Sequence, residues 1–388
     1  MDFHLTKEQL LVQKMYREFA ENEVKPLAAE IDEEERFPME TVEKMAKLGM
    51  MGIYFPKEYG GAGADVLSYA MCVEELAKVC GTTAVIVSAH TSLCAAPIFE
   101  NGTEEQKMKY LPDLCSGKKI GAFGLTEPGA GTDAQGQQTT AVLDESGENY
   151  ILNGSKCFIT NGNVANTFVI IAVTGKVTDK RGRTMKEISA FIVEDTDPGF
   201  SQGKHEKKMG IRGSSTCDLI FEDCVIPKDR MLGKKGEGFK IAMKTLDMSR
   251  TWVGCGAVGI AQRAIDEAVA YGKQRVTFGK PILKNQALQF MIADMEIRVE
   301  TARQMCAHAL KLMDAGLPYS KESSIAKCYA GDIAVQNALD AIQILGGYGY
   351  SREYPVEKLL RDAKIFQIYE GTNQIQRMVI GKSVIGKF

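Results

Sequence analysis

Residues 167–174 read T-F-V-I-I-A-V-T, and residues 188–194 read I-S-A-F-I-V-E. Both runs are short and dense in β-branched and aromatic residues, the composition of strands. Outward from them, K-I-G-A-F-G-L-T (119–126), N-Y-I-L-N-G (149–154) and C-D-L-I-F-E-D-C-V-I (217–226) have the same character. Turn signals such as N-G, D-K-R-G and D-P-G-F separate these runs, and no helical segment lies between them. Residues 119–230 are therefore expected to form an antiparallel β-barrel or sandwich rather than a parallel dinucleotide-binding sheet.

The flanks follow a helical period. Thr6 and Gln9 have capping-box spacing before L-L-V-Q-K-M-Y, and Pro26 is expected to interrupt that helix. Residues 38–49 repeat the helical pattern and end on Gly49; residues 65–80 and the stretch from Thr103 do so again. Beyond the β zone, residues 236–273, 280–314 and 320–346 form long periodic stretches that suit antiparallel helices. The predicted class is α+β: an N-terminal helical domain (1–118), a middle β domain (119–230) and a C-terminal four-helix-bundle domain (231–388).

The 388 residues carry 47 basic and 50 acidic side chains, a net charge of −3. That balance gives no reason to expect nucleic acid or an acidic membrane as partner. The cluster Lys204–Lys208, with His205, reads as a solvated loop. M-D-F-H-L-T-K-E-Q-L lacks the basic and apolar regions of a signal peptide, and no apolar run approaches the length of a membrane span. A cytoplasmic protein is expected. Ten cysteines without a C-x-x-C pair read as reduced, buried thiols. Four scattered histidines give no expectation of a metal site.

G-C-G-A-V-G (254–259) matches G-x-G-x-x-G, but both flanks are helical, so close helix packing explains it better. L-T-E-P-G-A-G-T-D (125–133) follows a strand and is read either as a surface turn or as a backbone loop approaching a planar or anionic ligand. K-C-F-I-T-N-G (156–162) ends another strand with a similar polar cluster. R-V-T-F-G-K-P-I-L-K-N-Q (275–286) joins two helices. Arg275 could pair with a pyrophosphate and Phe278 could stack on a base. I-Q-I-L-G-G-Y-G-Y (342–350) is a C-cap or a close backbone approach. In F-Q-I-Y-E-G-T-N-Q-I-Q-R (366–377), Glu370 is either a helix-start charge or a placed reactive carboxylate.

In this order, L-T-E-P-G-A-G-T-D, F-I-T-N-G, M-G-I-R-G-S, R-V-T-F-G-K-P, Q-I-L-G-G-Y-G-Y, Y-P-V-E-K-L-L-R-D-A-K and Q-I-Y-E-G-T-N resemble the acyl-CoA dehydrogenase family along the whole chain. The overall look is most similar to its bacterial short-chain, butyryl-CoA branch. The resemblance implies FAD between the β domain and the C-terminal bundle. Leu125, Thr126, Phe158 and Thr160 match positions holding the isoalloxazine ring. Arg275, Phe278, Gln286, Gln343 and Gly347 match positions taking the adenosine and pyrophosphate, partly across a subunit interface. Thr372 and Gln374 match further FAD contacts. Thr132, Asp247 and Arg250 match CoA-side contacts, and Tyr369 and Gly371 flank the substrate beside Glu370.

The implied reaction is α,β-dehydrogenation of a short-chain acyl-CoA to the trans-2-enoyl-CoA. Glu370 matches the base that takes the α proton, while a hydride leaves the β carbon for flavin N5. The backbone N–H of Glu370 would help hold the thioester carbonyl, an oxyanion-hole arrangement. Burial should raise the carboxyl toward the working pH, and the following helix dipole should lower it. Some branches carry the base one residue before the Arg matching Arg250; here that residue is Ser249, which argues against an isovaleryl-type enzyme. No Arg occurs at 81–100, which argues against a glutaryl-type one. The helix over 81–98, with Ser88, Ala89 and Thr91, is expected to floor the acyl pocket. Family partners are electron-transferring flavoprotein and three further copies in a homotetramer, a dimer of dimers. The alternatives are an enoyl-CoA reductase (crotonyl-, acryloyl- or caffeyl-CoA) on the same site, a flavin oxidase, or a noncatalytic acyl-CoA-binding protein. No function attaches to residues 174–187.

Overall fold

The computed structural model describes residues 5–178 and 182–386. The N-terminal helices are α1 (Lys7–Phe19), α2 (Ala28–Glu34), α3 (Met39–Lys47), α4 (Val66–Val79), α5 (Gly81–Ser88), α6 (Ala96–Asn101) and α7 (Glu104–Cys115). The capping box at Thr6 is present: Thr6 Oγ1 accepts from Gln9 N at 3.1 Å, and Gln9 Oε1 accepts from Thr6 N at 2.9 Å. The α-helix is interrupted before Pro26, as a change of helical form: α1 ends at Phe19, and Pro26 lies in a 3-10 turn ahead of α2. The chain passes from α1 through a π turn (Ala20–Val24) and a 3-10 turn (Lys25–Leu27) into α2. Pro26 sits in the first turn of a new segment, where its missing N–H leaves no bond unmade.

One expectation is corrected at Gly81–Asn101. This helical stretch, with a π turn at Ala89–Ala95 between α5 and α6, is long and apolar enough to cross a membrane by length and composition alone. It lies 89% buried inside the protein, where a helix can be hydrophobic all round.

The middle strands are β1 (Gly121–Gly124), β2 (Thr140–Leu143), β3 (Asn149–Thr160), β4 (Thr167–Thr178), β5 (Thr184–Glu194), β6 (Phe200–Gln202), β7 (Thr216–Pro227) and β8 (Met231–Leu232). They form one curled sheet in the order β6-β7-β3-β2-β4-β5-β8, with β1 on β4. The pairing is mostly antiparallel, but β1 and β2 each pair parallel with β4. Strand β4 begins with six buried residues, so it packs on both faces and shows no polar alternation there. Residues 174–187, apart from 179–181, which lie outside the described residues, continue the β4–β5 hairpin. Lys186 Nζ there donates to the carbonyls of Gly136 (2.9 Å) and Gln137 (2.6 Å). The Lys204–Lys208 loop is only partly solvated, since Lys208 Nζ donates to Ser214 O at 2.8 Å.

The C-terminal helices are α8 (Gly238–Gln274), α9 (Gln286–Asp314), α10 (Ser320–Leu345), α11 (Val356–Ile365) and α12 (Asn373–Ile385). A short β9–β10 ladder (Val276–Thr277, Lys280–Pro281) and a 3-10 turn fill the approach to α9. Thus α9 starts later than residue 280. Glycines 254, 256 and 259 on α8 mark close contacts: a Cβ at Gly259 would stand 2.3 Å from Glu74 O on α4. Helix packing, not dinucleotide binding, explains that motif.

M-G-I-R-G-S and Y-P-V-E-K-L-L-R-D-A-K meet where the three zones join. Arg361 donates to Asp32 on α2 through Nη1 (3.1 Å) and Nη2 (2.7 Å). Ile211 N donates to Asp362 Oδ1 at 2.6 Å. All ten cysteines are free and buried.

Candidate functional site

Glu370 lies in the seven-residue connection between α11 and α12, two residues before the cap Thr372, whose hydroxyl accepts from Ile375 N at 3.3 Å. Its φ is +54°, and that of Gly371 is +90°. A left-handed glutamate costs of order 1–3 kcal/mol and persists only where its surroundings fix it. Here they do. The Glu370 carbonyl accepts from Arg250 Nε (3.1 Å) and Gln376 Nε2 (3.2 Å). The Gly371 carbonyl accepts from Gln376 Nε2 (2.9 Å) and Lys327 Nζ (2.7 Å).

The carboxyl of Glu370 accepts a short hydrogen bond from Ser249 Oγ on α8. Burial raises this carboxyl above the ordinary glutamate value. The Ser249 hydrogen bond and the charges of Arg250 and Lys327 pull the other way without cancelling it. Arg250, 5% exposed, also pairs with Asp247 on the next turn. Thus Glu370, Gly371, Asp247 and Arg250 form one cluster, with Tyr369 adjoining in an edge-on contact to Phe366 at 5.3 Å. Tyr69 on α4 donates to Val87 O at 3.4 Å on the Gly81–Asn101 stretch; burial raises its hydroxyl well above the usual phenol range, and the Glu370 charge adds to this.

The two loops of the β unit lie side by side, because Cys157 N donates to Thr126 O at 2.9 Å. That contact joins Leu125 and Thr126 to Phe158 and Thr160. Beneath them, Lys156 Nζ is wholly buried and bonds Glu127 Oε1 (2.7 Å), Gln137 Oε1 (3.1 Å) and Leu125 O (3.2 Å). Burial would raise the Glu127 carboxyl, but the bond and charge of Lys156 outweigh it and hold it low. Phe158 stands above this base with φ +58° and 67% of its surface exposed. Thr132 is exposed at the far end of the first loop.

A third group sits in the C-terminal helices. A cavity of about 580 Å³ is lined by Arg275, Tyr271, Gly346, Gly347, Tyr348 and Glu353, among others. Nothing lies within 4 Å of a Cβ built at Gly346 or Gly347. The Arg275 guanidinium is 5.8 Å from the Tyr348 ring centroid. Gln286, Gln343 and Gln374 are exposed, and Phe278 is fully exposed with φ +50°. The Arg275 cavity includes none of the Leu125, Thr126, Phe158 or Thr160 side chains. Within one chain the cofactor candidates therefore fall into two separate groups.

Comparison with known proteins gives this arrangement a family. Three family models match in order: Acyl-CoA dehydrogenase, N-terminal domain over residues 6–118, middle domain over 122–224, and C-terminal domain over 236–385. The chain belongs to the acyl-CoA dehydrogenase family. It is similar to the short-chain specific acyl-CoA dehydrogenase of Clostridium acetobutylicum, at 58% identity over 99% of this chain and 100% of the relative. The solved butyryl-CoA dehydrogenase of Megasphaera elsdenii superposes with a TM-score of 0.95 at 48% identity, over 100% of both chains. CarC, a subunit of the caffeyl-CoA reductase-Etf complex of Acetobacterium woodii, is 46% identical over 99% of this chain and 100% of that protein. This acyl-CoA dehydrogenase is an FAD-dependent oxidoreductase acting on CH–CH bonds.

The residues present fit that cofactor. Arg275 and the bare Gly346–Gly347 backbone suit a diphosphate, and the exposed Phe158 and Phe278, both with left-handed backbone, offer ring faces.

Four residues that shape the acyl-CoA dehydrogenase site escaped the sequence reading. Ser249 reads in sequence only as an empty base position, yet it donates to the base candidate. Glu127 and Lys156 lie within the motifs L-T-E-P-G-A-G-T-D and K-C-F-I-T-N-G without a role of their own there, and Lys327 sits in an ordinary helical pattern. The one sequence signal at Lys327 is a charge between Ala326 and Cys328.

Proposed function

We propose that this protein interconverts a short-chain acyl-CoA and its trans-2-enoyl-CoA, and that Glu370 is the group that moves the α proton. The carrying observation is the Glu370 carboxyl: raised by burial, hydrogen-bonded by Ser249, and borne on a turn fixed by Arg250, Gln376 and Lys327. A carboxylate with a raised pKa is a better base for a weak carbon acid. Among the described residues no hydrogen bond engages the Glu370 N–H, so that donor is free for the thioester carbonyl, where enolate charge develops.

FAD, when bound, supplies the hydride acceptor. Leu125, Thr126, Phe158 and Thr160 would hold its ring. Arg275, Phe278, Gln286, Gln343, Gly347, Thr372 and Gln374 would hold the remainder. Asp247, Arg250 and Thr132 line the CoA side, with Tyr369 and Gly371 beside the acyl carbons. Tyr69 packs edge-on against Trp252 at 4.9 Å, and Tyr54 lies 5.3 Å from the same indole. We assign these rings and the buried Ser88–Thr91 turn to the end of the acyl pocket, where their bulk suits a short chain. The fully exposed Phe278 and the exposed Phe290, Ile297 and Tyr350 support a homotetramer in which the two cofactor groups come from different subunits.

The test is anaerobic addition of butyryl-CoA. The flavin band should bleach, and E370Q should abolish bleaching while keeping FAD. Unchanged bleaching in E370Q, or loss of FAD from it, overturns the assignment of the base. A second reading, physiological reduction of an enoyl-CoA with electrons from an electron-transferring flavoprotein, is supported by the CarC relative. Turnover of a C3 to C12 series in both directions, with and without that flavoprotein, decides between them.

A further inference from the structure

We infer that Lys327 is a positioning residue for Glu370: its buried ammonium holds the Glu370–Gly371 turn in its left-handed form and so aims the carboxylate. This rests on the reading of Glu370 as the proton-transferring group.

Lys327 lies in the first third of α10 and is wholly buried. A buried ammonium needs partners that use its protons. Its partners are two atoms of one turn, Gly371 O at 2.7 Å and Asn373 Oδ1 at 3.0 Å. Asn373, 2% exposed, in turn donates through Nδ2 to Cys328 O (2.9 Å) and Asp332 Oδ1 (2.8 Å). Lys327 and Asn373 therefore moor the segment after Glu370 to α10 from both sides. The mooring is close: a Cβ at Gly331 would meet Phe366 O at 2.7 Å.

The other clamps on the turn cannot replace this one. Gln376 belongs to α12 and moves with the turn. Arg250 reaches only the Glu370 carbonyl and is also committed to Asp247. Lys327 is the clamp from a separate helix, α10, on the Gly371 carbonyl, and it fixes the 371–372 peptide that directly follows the left-handed pair Glu370 (φ +54°) and Gly371 (φ +90°). Its charge acts as well. Burial brings Lys327 down to about 8, with the Glu370, Cys328 and Asp332 charges opposing and Arg250 reinforcing. Glu370 is faced by Ser249 and Arg250 from α8, Lys327 from α10 and Tyr69 from α4.

Two variants separate geometry from charge. K327M removes both bonds and the charge. K327Q keeps one amide donor for Gly371 O and loses the charge. Under butyryl-CoA, K327M should lower the rate of flavin reduction about 10- to 100-fold, the scale of an angstrom-size misplacement. KM and FAD content should stay near wild type, and the pH limb of the reaction should move to higher pH, because a cation near the carboxylate is gone. K327Q should regain much of the rate while keeping the displaced limb. E370Q, run beside them, should show no bleaching. If E370Q is dead but K327M reduces flavin at the wild-type rate with its limb unmoved, the positioning role fails and the base stands. If K327M does not fold, K327Q decides: an unmoved limb overturns the proposal. If E370Q bleaches, the base reading itself fails.

Discussion

Replacing Ser249 by Ala tests the electrostatics of the site at a single hydrogen atom. Ser249 Oγ is buried and has one proton to give. Its two acceptors are the Glu370 carboxylate, in a short bond, and Leu246 O at 3.3 Å. The shorter, charged bond takes the proton. A hydrogen bond to a charged group contributes about 1.5–3 kcal/mol. At 1.36 kcal/mol per pKa unit that is about 1–2 units. Glu370 retains partial solvent access, which places the effect near the lower figure, about 1 unit. The sign follows from which form is stabilised. Ser249 favours the ionised carboxylate, so its loss raises the folded pKa of Glu370 further above the ordinary value. The base must be ionised to act. In S249A the limb of the flavin-reduction rate should move alkaline by about 1 unit, with a roughly tenfold loss on its acid side. On the plateau the rate should match or exceed wild type, since a stronger base takes the proton more readily. Anaerobic stopped-flow reduction by butyryl-CoA at a series of pH values reads both features. A limb that stays in place or moves to acid, or a loss equal at every pH, would refute the reasoning.

Other outcomes follow from features outside the base. E127A strands the Lys156 ammonium and frees the Gln138 and Thr139 N–H groups that Glu127 accepts from at 2.5 and 3.0 Å. Breaking a buried pair costs about 3–5 kcal/mol, so thermal melting should show a lowered midpoint together with FAD release, and an unchanged midpoint refutes the role. F278A removes a fully exposed side chain. Monomer stability should change by less than about 0.5 kcal/mol. FAD retention and the mass seen by light scattering should both fall.

The sequence made the order of helical and β zones legible because periodicity depends on which faces are buried, and these faces are uniform over long runs. Pro26 marks the break between α1 and α2, while a π turn and a 3-10 turn carry the backbone past its missing N–H. The Gly81–Asn101 run escaped notice as an apolar span because Thr82, Thr83, Ser88 and His90 interrupt it in print, although all are buried. The parallel pairing of β1 and β2 with β4 depends on long-range register that no local pattern encodes. At the site, Glu370, Phe158 and Phe278 stand out in sequence and take the left-handed backbone in the structure. Ser249 and Lys327 do not stand out, because their role is a relation to residues 121 and 44 positions away.

The Arg361–Asp32 contact has a consequence for biosynthesis. Asp32 is 6% exposed, and the guanidinium that neutralises it lies 329 residues further along the chain. At about 5–20 residues per second, the ribosome needs on the order of 15–65 s after making Asp32 before Arg361 exists. During that interval the N-terminal helices hold a carboxylate that cannot be buried without its partner. The Asp32–Arg361 pair therefore closes only when synthesis is nearly complete, and a chain truncated before residue 361 keeps that carboxylate without its guanidinium partner.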